Sequence, residues 1–325
     1  MSISWTETTL ALLAGLVLFL YGVNRLSNDL REMAGDRMKR VLERMTGNRL
    51  VGLLAGCIAT TILDSSSLTI ILVIALIHAG ALTFENSLAV ILGSNIGTTL
   101  STQFYAFEVD KYSPVILAIG LLTLLLGKGK PIGGYGAIVF SIGLVFWGLH
   151  YMGEVMKPLA QSPSFTAWLL RLEDPITGAL FGAAATVVIQ SSSAMMGIVV
   201  KSAAAGLVNL GAGVAVMLGA EVGTCADTLI ASVGRSREAL RAGVFHLAFN
   251  IITVSLGLFC YRQIAAVALW LPNGGDVSRQ IANAHMFFNI AGALLFLPLL
   301  PLATKALCSV IQDRRETSVP QPEMA

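Results

Sequence analysis

The chain has 325 residues, 55% of them hydrophobic and only 12% charged, with a formal net charge of +2 and a mean hydropathy of +0.76. Soluble domains carry about a quarter charged residues, so an ordinary soluble domain is excluded, and so slight a basic excess gives no reason to expect a nucleic-acid partner. Apolar runs such as "TLALLAGLVLFLYGV" recur along the chain. A bilayer core takes roughly 20 mostly apolar residues per helix, so the composition describes an all-α polytopic membrane protein.

The first apolar passage, 6–27, has no basic residue before it and no small-residue cleavage site. It reads as a span rather than a removed signal peptide. The charged segment 25–49 follows, with Leu30, Met33, Met38, Val41, Leu42 and Met45 on one side of an amphipathic helix. Such a helix is expected to lie on the cytoplasmic membrane surface, so 1–49 forms a first unit of span plus surface helix. Segment 50–80 is apolar but interrupted by "DSSS" at 64–67. That pattern suits a re-entrant helical hairpin whose tip lies inside the protein, because non-helical backbone at membrane depth needs surrounding protein or a water-filled cavity. A span at 86–107, broken at "LGSNIGTTLST", and spans at 113–127 and 132–153 complete a first repeat, 50–153.

The second repeat, 154–304, opens with a loop and a hairpin at 177–208 interrupted by "QSSS". A span at 211–231, broken at "LGAEVGTCADT", and spans at 242–260 and 280–304 follow. Residues 305–325 read as a disordered cytoplasmic tail. Cys57, Cys225, Cys260 and Cys308 have no CxxC spacing and read as small buried residues. With the first span running outside to inside, fifteen of the 21 Lys and Arg fall inside and five outside, with Lys201 in the second hairpin. The positive-inside rule then places the amino terminus outside and the carboxyl terminus in the cytoplasm of a plasma (inner) membrane. It also makes the two hairpins enter from opposite sides.

A shift of 126 residues superposes the two hairpin regions without a gap. It pairs Ser65, Ser66 and Ser67 with Ser191, Ser192 and Ser193, Gly93 with Gly219, and Gly97–Thr98 with Gly223–Thr224. Across 52–103 against 178–229 there are 18 identities in 52 positions. Shared greasiness would match Leu, Ala and Val at random, not Ser, Thr and Gly in one register. Inverted-topology repeats with broken helices are the architecture of secondary transporters, whose substrate and coupling ions meet near the midplane. A helix broken there offers free N–H groups and the positive end of its dipole to an anion. Serine hydroxyls beside the break add donors for an anion and acceptors for a cation. The Gly-punctuated segments, with Thr99, Thr224 and Asp227, are candidates to hold Na⁺.

These residues resemble the type II sodium/phosphate cotransporter family, which carries a duplicated QSSS followed by a GxNIGTT-like segment. Gln190–Ser193 and Gly93–Thr99 match those motifs, and "RAGVFHLAFN" (241–250) and "ANAHMFFN" (282–289) look like further family signatures. The resemblance covers about 50–304. It implies a carrier of inorganic phosphate driven by Na⁺, not an enzyme, with an elevator-type movement compatible with a homodimer. It adds Gln190, Asn95 and Thr98 to a substrate set of Ser65, Ser66, Ser67, Ser191, Ser192 and Ser193. A cytoplasmic helical domain found in many bacterial members is expected to be absent.

Two residues depart from the motif: Asp64 stands where the family has Gln, and Glu221 where it has Asn. Buried carboxylates in a membrane are functional candidates by default, so both join the candidate Na⁺ ligands, with protons expected to compete for them. His246 and His285, each followed by Phe-Asn, read as packing residues beside the site. Lys201 suggests a Ser/Lys hydrolase dyad with Ser193, but eight helical residues span about 12 Å. That distance disfavours a membrane-embedded serine hydrolase. An anion channel is the other competing class.

Overall fold

In a computed structural model of the protein, residues 5–44, 48–107, 109–271 and 275–312 are described. They form helices α1 (Trp5–Arg44), α2 (Arg49–Leu63), α3 (Ser66–His78), α4 (Phe84–Tyr105), α5 (Ser113–Leu126), α6 (Pro131–Leu159), α7 (Pro163–Leu169) and α8 (Pro175–Ile189). There follow α9 (Ser192–Ala204), α10 (Leu210–Gly223), α11 (Cys225–Ser232), α12 (Arg237–Phe259), α13 (Tyr261–Trp270), α14 (Val277–Phe296) and α15 (Leu300–Val310), with no strand among the described residues. Among the described residues, five helical stretches are long and apolar enough to cross a bilayer, or up to seven if each of two bent pairs is one span. Helix starts follow their capping residues: Asn48, Thr83, Asp174, Asn209, Ser236 and Asp276 each accept a backbone N–H of the first turn.

The glycines show how the helices run. A Cβ on Gly56 would meet the Val90 carbonyl, and one on Gly93 or Gly97 would meet the carbonyls of Leu53 or Cys57. Contacts that advance together along both chains mean that α2 and α4 are parallel. The chain between them must return along α3, so α2 and α3 form a hairpin with its tip at 64–65. The matched positions repeat this geometry: Gly182 lies against Val216, Gly219 against Ala179 and Gly223 against Ala183. Thus α8 and α10 are parallel and α9 returns. Such close backbone approach is how membrane helices gain packing where the hydrophobic effect is absent.

Helices α1 and α6 occupy matched positions under the same 126-residue shift, and they pack antiparallel. Gly15 faces Met152, Gly22 faces Val145, and Gly148 faces Phe19. The last two contacts are images of each other, because Phe19 and Gly22 shift to Val145 and Gly148. Counterparts that pass in opposite directions are the signature of an inverted repeat, and the pseudo-twofold axis crosses this helix pair. Each hairpin then crosses over: α3 packs on α11 and α12, while α9 packs on α4.

Several expectations need correction. The surface helix at 25–49 is not separate, since α1 continues unbroken from Trp5 to Arg44. Its Met38 and Leu42 are buried in the core beneath the first hairpin rather than facing lipid, and Met45 lies outside the described residues. The break expected at Gly93–Thr99 is absent because α4 is continuous there. Thr224 separates α10 from α11 only nominally, since its backbone stays right-handed helical and its N–H reaches the Ala220 carbonyl at 3.1 Å. Glycines in these segments serve close approach, not helix termination. Residues 305–310, expected in the tail, belong to α15, and 313–325 lie outside the described residues. Of the four cysteines expected to be buried, only Cys225 is; Cys57 and Cys308 are half-buried and Cys260 is exposed.

Candidate functional site

Both hairpins break in the same way. The first arm ends on a residue in the left-handed region, Asp64 (φ 51°) or Gln190 (φ 59°). This backbone costs a side chain roughly 1–2 kcal/mol, so its repetition at matched positions marks a turn held by its surroundings. The next residue is extended and caps the second arm. Ser65 Oγ accepts the Leu68 N–H and Ser191 Oγ accepts the Ala194 N–H, both at 3.1 Å. The Ser65 and Ser191 carbonyls take the following amides, at 3.2 and 3.0 Å. Helix geometry leaves the N–H groups of Ser66 and Ser67, and of Ser192 and Ser193, at the open end. The Ser66, Ser192 and Ser193 side chains are buried with them.

The first tip reaches the opposite half. Ser67 Oγ lies 3.3 Å from Thr224 Oγ1, and the Asp227 carboxylate one turn further on also engages Ser67. Ser67, Thr224 and Asp227 are therefore brought together as hydroxyl and carboxylate oxygens, the donor set a hard monovalent cation takes. Asp64 turns elsewhere. It accepts the Ser101 hydroxyl and lines a cavity of about 260 Å³ with Tyr105, Val145 and Phe146. Gln190 is exposed. Thr98 and Thr99 are buried, and their hydroxyls donate to the Ser94 and Ile96 carbonyls of their own helix.

Glu221 is 2% exposed and fully engaged on one oxygen. His285 Nε2 stands 2.7 Å from Oε1, and Asn289 Nδ2 donates to the same atom at 2.8 Å. The far side of that imidazole, Nδ1, meets Thr102 Oγ1 at 2.9 Å. A second imidazole makes a like contact without the acid: His246 Nδ1 lies 2.8 Å from Thr228 Oγ1, and Thr228 is the shifted image of Thr102. The image of Glu221 in the first repeat is Asn95, whose buried Nδ2 has no partner among the described residues, as is also true of Asn250 Oδ1. The two histidines thus pack their helices through hydrogen bonds as well as apolar contact. The signal was present in the sequence, because Thr102 and Thr228 are among the 18 identities and both histidines precede Phe-Asn.

A further contact escaped the sequence reading. Buried Lys201, near the end of the second hairpin, pairs with Asp110 at 2.9 Å, and Asp110 also lies 3.3 Å from His150 Nδ1. A lysine committed to Asp110 at the far end of α9 is no partner for Ser193.

The Na⁺/Pi-cotransporter family matches the chain twice, over residues 18–154 and 147–288. An uncharacterized protein of Bacillus subtilis, YqeW, is 32% identical over 286 residues, which is 87% of this chain and 92% of that one. A protein of Escherichia coli K12 named as a candidate inorganic phosphate exporter is 23% identical over 312 residues. This chain spans only 57% of that relative's length. The sodium-dependent phosphate transport protein 2A of Mus musculus is 29% identical over 99 residues, covering 29% of this chain and 15% of that one. No solved structure matches the chain. Two successive matches that begin on the antiparallel partners α1 and α6 reproduce the repeat seen in the fold, and the chain belongs to the Na⁺/Pi-cotransporter family.

Proposed function

We propose that the protein is a secondary active transporter that carries inorganic phosphate across the plasma membrane in exchange for the energy of a Na⁺ gradient. The observation that carries this reading is the pair of inverted hairpins, each presenting two free N–H groups and two serine hydroxyls at an open helix end. Phosphate takes neutral donors from the Ser66, Ser67, Ser192 and Ser193 tips, while Ser65 and Ser191 hold those tips in shape. Asn95 and Thr98 of α4 and the exposed Gln190 complete the wider substrate set. Na⁺ is a cargo ion here, and Thr224 with Asp227 supplies its oxygens next to Ser67. Asp64 is a second candidate ligand, and Thr99 a weaker one. Glu221 already holds His285 and Asn289 on Oε1, so its part is to fix α10 against α14 rather than to ligate Na⁺.

The fold supports alternating access, because two hairpins that enter oppositely can be exposed in turn to the two sides. The excess of Lys and Arg at one set of helix ends supports a cytoplasmic carboxyl terminus and an outer amino terminus. Uptake of radiolabelled phosphate into proteoliposomes, with and without an imposed Na⁺ gradient and across pH, tests the reading. A Na⁺-independent flux that shows no counterflow of preloaded phosphate would overturn it in favour of a channel. Cysteine labelling tests the orientation, with 154–175 expected on one side and 234–241 on the other.

A further inference from the structure

A recess of about 360 Å³ opens where α2, α4 and α15 meet, lined by Arg49, Glu85, Asn86, Thr304 and Lys305 over a floor of Ala89 and Leu300. The floor is buried, at 2% exposure for each residue, whereas Arg49, Glu85 and Lys305 are exposed. Among the described residues none of these three charges takes part in an ion pair. Long cations at membrane edges commonly just extend into water. Here three helices converge so that both cations line one recess, and two cations against one carboxylate leave one net positive charge.

Three further observations bear on the occupant. Leu50 and Leu302, adjacent in sequence to Arg49 and Pro301 of the lining, are 58% and 66% exposed, so apolar surface borders the recess. Two helices also begin there, α2 capped by Asn48 and α4 capped by Thr83, and their positive ends favour an anion. The pseudo-symmetric junction in the other half folds with Pro175, Gly211, Ala212 and Ala215 in the places of Arg49, Glu85, Asn86 and Ala89. The repeat therefore packs without these charges, and their presence at one end only points to something they bind.

We propose that this recess is a headgroup site for an anionic glycerophospholipid. Arg49 and Lys305 would hold the phosphodiester, whose single negative charge matches the net charge of the lining. Asn86 and Thr304 would meet an uncharged hydroxylated head such as glycerol, with the acyl chains against the neighbouring leucines. Basic pockets between helices at the cytoplasmic edge are a recognised form of lipid site, and a zwitterionic head would leave the positive charge unbalanced. Inorganic phosphate shares the phosphate chemistry but has no use for the apolar border.

Native mass spectrometry of the full chain tests this with three probes: 1-palmitoyl-2-oleoyl phosphatidylglycerol, the phosphatidylcholine with the same chains, and sodium phosphate. Retained phosphatidylglycerol is expected at least about tenfold above phosphatidylcholine, with Arg49→Gln/Lys305→Gln falling to the phosphatidylcholine level and Lys305→Gln in between. The single variant guards against a double variant that fails to fold. Equal retention of the two lipids, or a double variant that keeps the wild-type preference, would overturn the proposal. Displacement of bound phosphatidylglycerol by millimolar phosphate in the wild type would also overturn it, assigning the recess to the free anion.

Discussion

The two halves of the molecule agree in their backbone and disagree in their charge. What they share is glycine, serine and threonine: Gly56 with Gly182, Gly93 with Gly219, Ser65 with Ser191, and Thr102 with Thr228. Each of these four pairs has one structural task, which it performs with nearly the same distance on both sides. Where they differ, a carboxylate faces a neutral group across the pseudo-twofold: Asp64 against Gln190, Glu221 against Asn95, and Asp227 against Ser101. The hairpin ends differ too. His78 Nδ1 accepts the Ser236 N–H at 3.1 Å in one half, while Lys201 forms an ion pair with Asp110 in the other. A duplicated fold tolerates such divergence where the shared residues carry the packing.

The largest expected effect breaks the shared part. Leucine at Gly93 or Gly219 would drive a side chain into the carbonyl of the parallel helix, costing on the order of 3 kcal/mol or more. Both variants should lose the monodisperse peak in fluorescence-detected gel filtration. If one half accepts leucine, its close helix contact is not holding the repeat together. Next in size is the substrate cradle. On the proposed reading, Ser66→Ala and Ser192→Ala each remove a hydroxyl donor to a charged ligand, a loss of about 1.5–3 kcal/mol. Phosphate uptake should fall roughly ten- to a hundredfold in each while the protein stays folded. Wild-type uptake in both would remove the tips from the site.

The third prediction weighs the histidine that meets an acid against the one that meets neutral partners. His285→Ala leaves Glu221 buried without its imidazole, which should cost about 3 kcal/mol. His246→Ala removes an imidazole whose neighbours Thr228 and Cys225 are neutral, for about 1 kcal/mol. Thermal unfolding of the two purified variants gives the order directly. Equal losses would mean that the Glu221–His285 pair contributes no more than the neutral His246–Thr228 contact.

Much of this is legible in the sequence. The repeat, the two hairpin breaks and their serines follow from matched polar residues in apolar runs, because such residues have few reasons to recur in register. The positions of the carboxylates were legible too, but not their partners. Glu221 is held by α14, which lies outside the aligned 52 residues, so the shift of 126 could not show it. The continuity of α4 was misread for a physical reason. Glycine lowers helix propensity in water, yet between membrane helices it also permits contact at the backbone, and the sequence does not say which use applies. The apolar side of 25–49 carries the same ambiguity, since amphipathicity alone does not distinguish a lipid interface from a protein core such as the one that takes Met38 and Leu42.

The smallest effect separates a cap from a ligand. Ser65 and Ser191 stand at the start of each serine triplet, where the sequence makes them equal to their neighbours as substrate ligands. The structure gives their hydroxyls to the Leu68 and Ala194 amides instead. Loss of an N-cap hydroxyl costs about 1 kcal/mol, and the two bonds have the same length, so Ser65→Ala and Ser191→Ala should lower stability by equal amounts. Uptake should then keep its apparent phosphate affinity within about twofold, because the N–H groups of the two following serines still define the open helix end. Equal stability losses with unchanged affinity would confine the substrate to the inner pair of each triplet. A drop in affinity as large as that of Ser66→Ala would return the capping serines to the site. A drop at only one of them would show that the two tips, alike in backbone, hold the anion unequally.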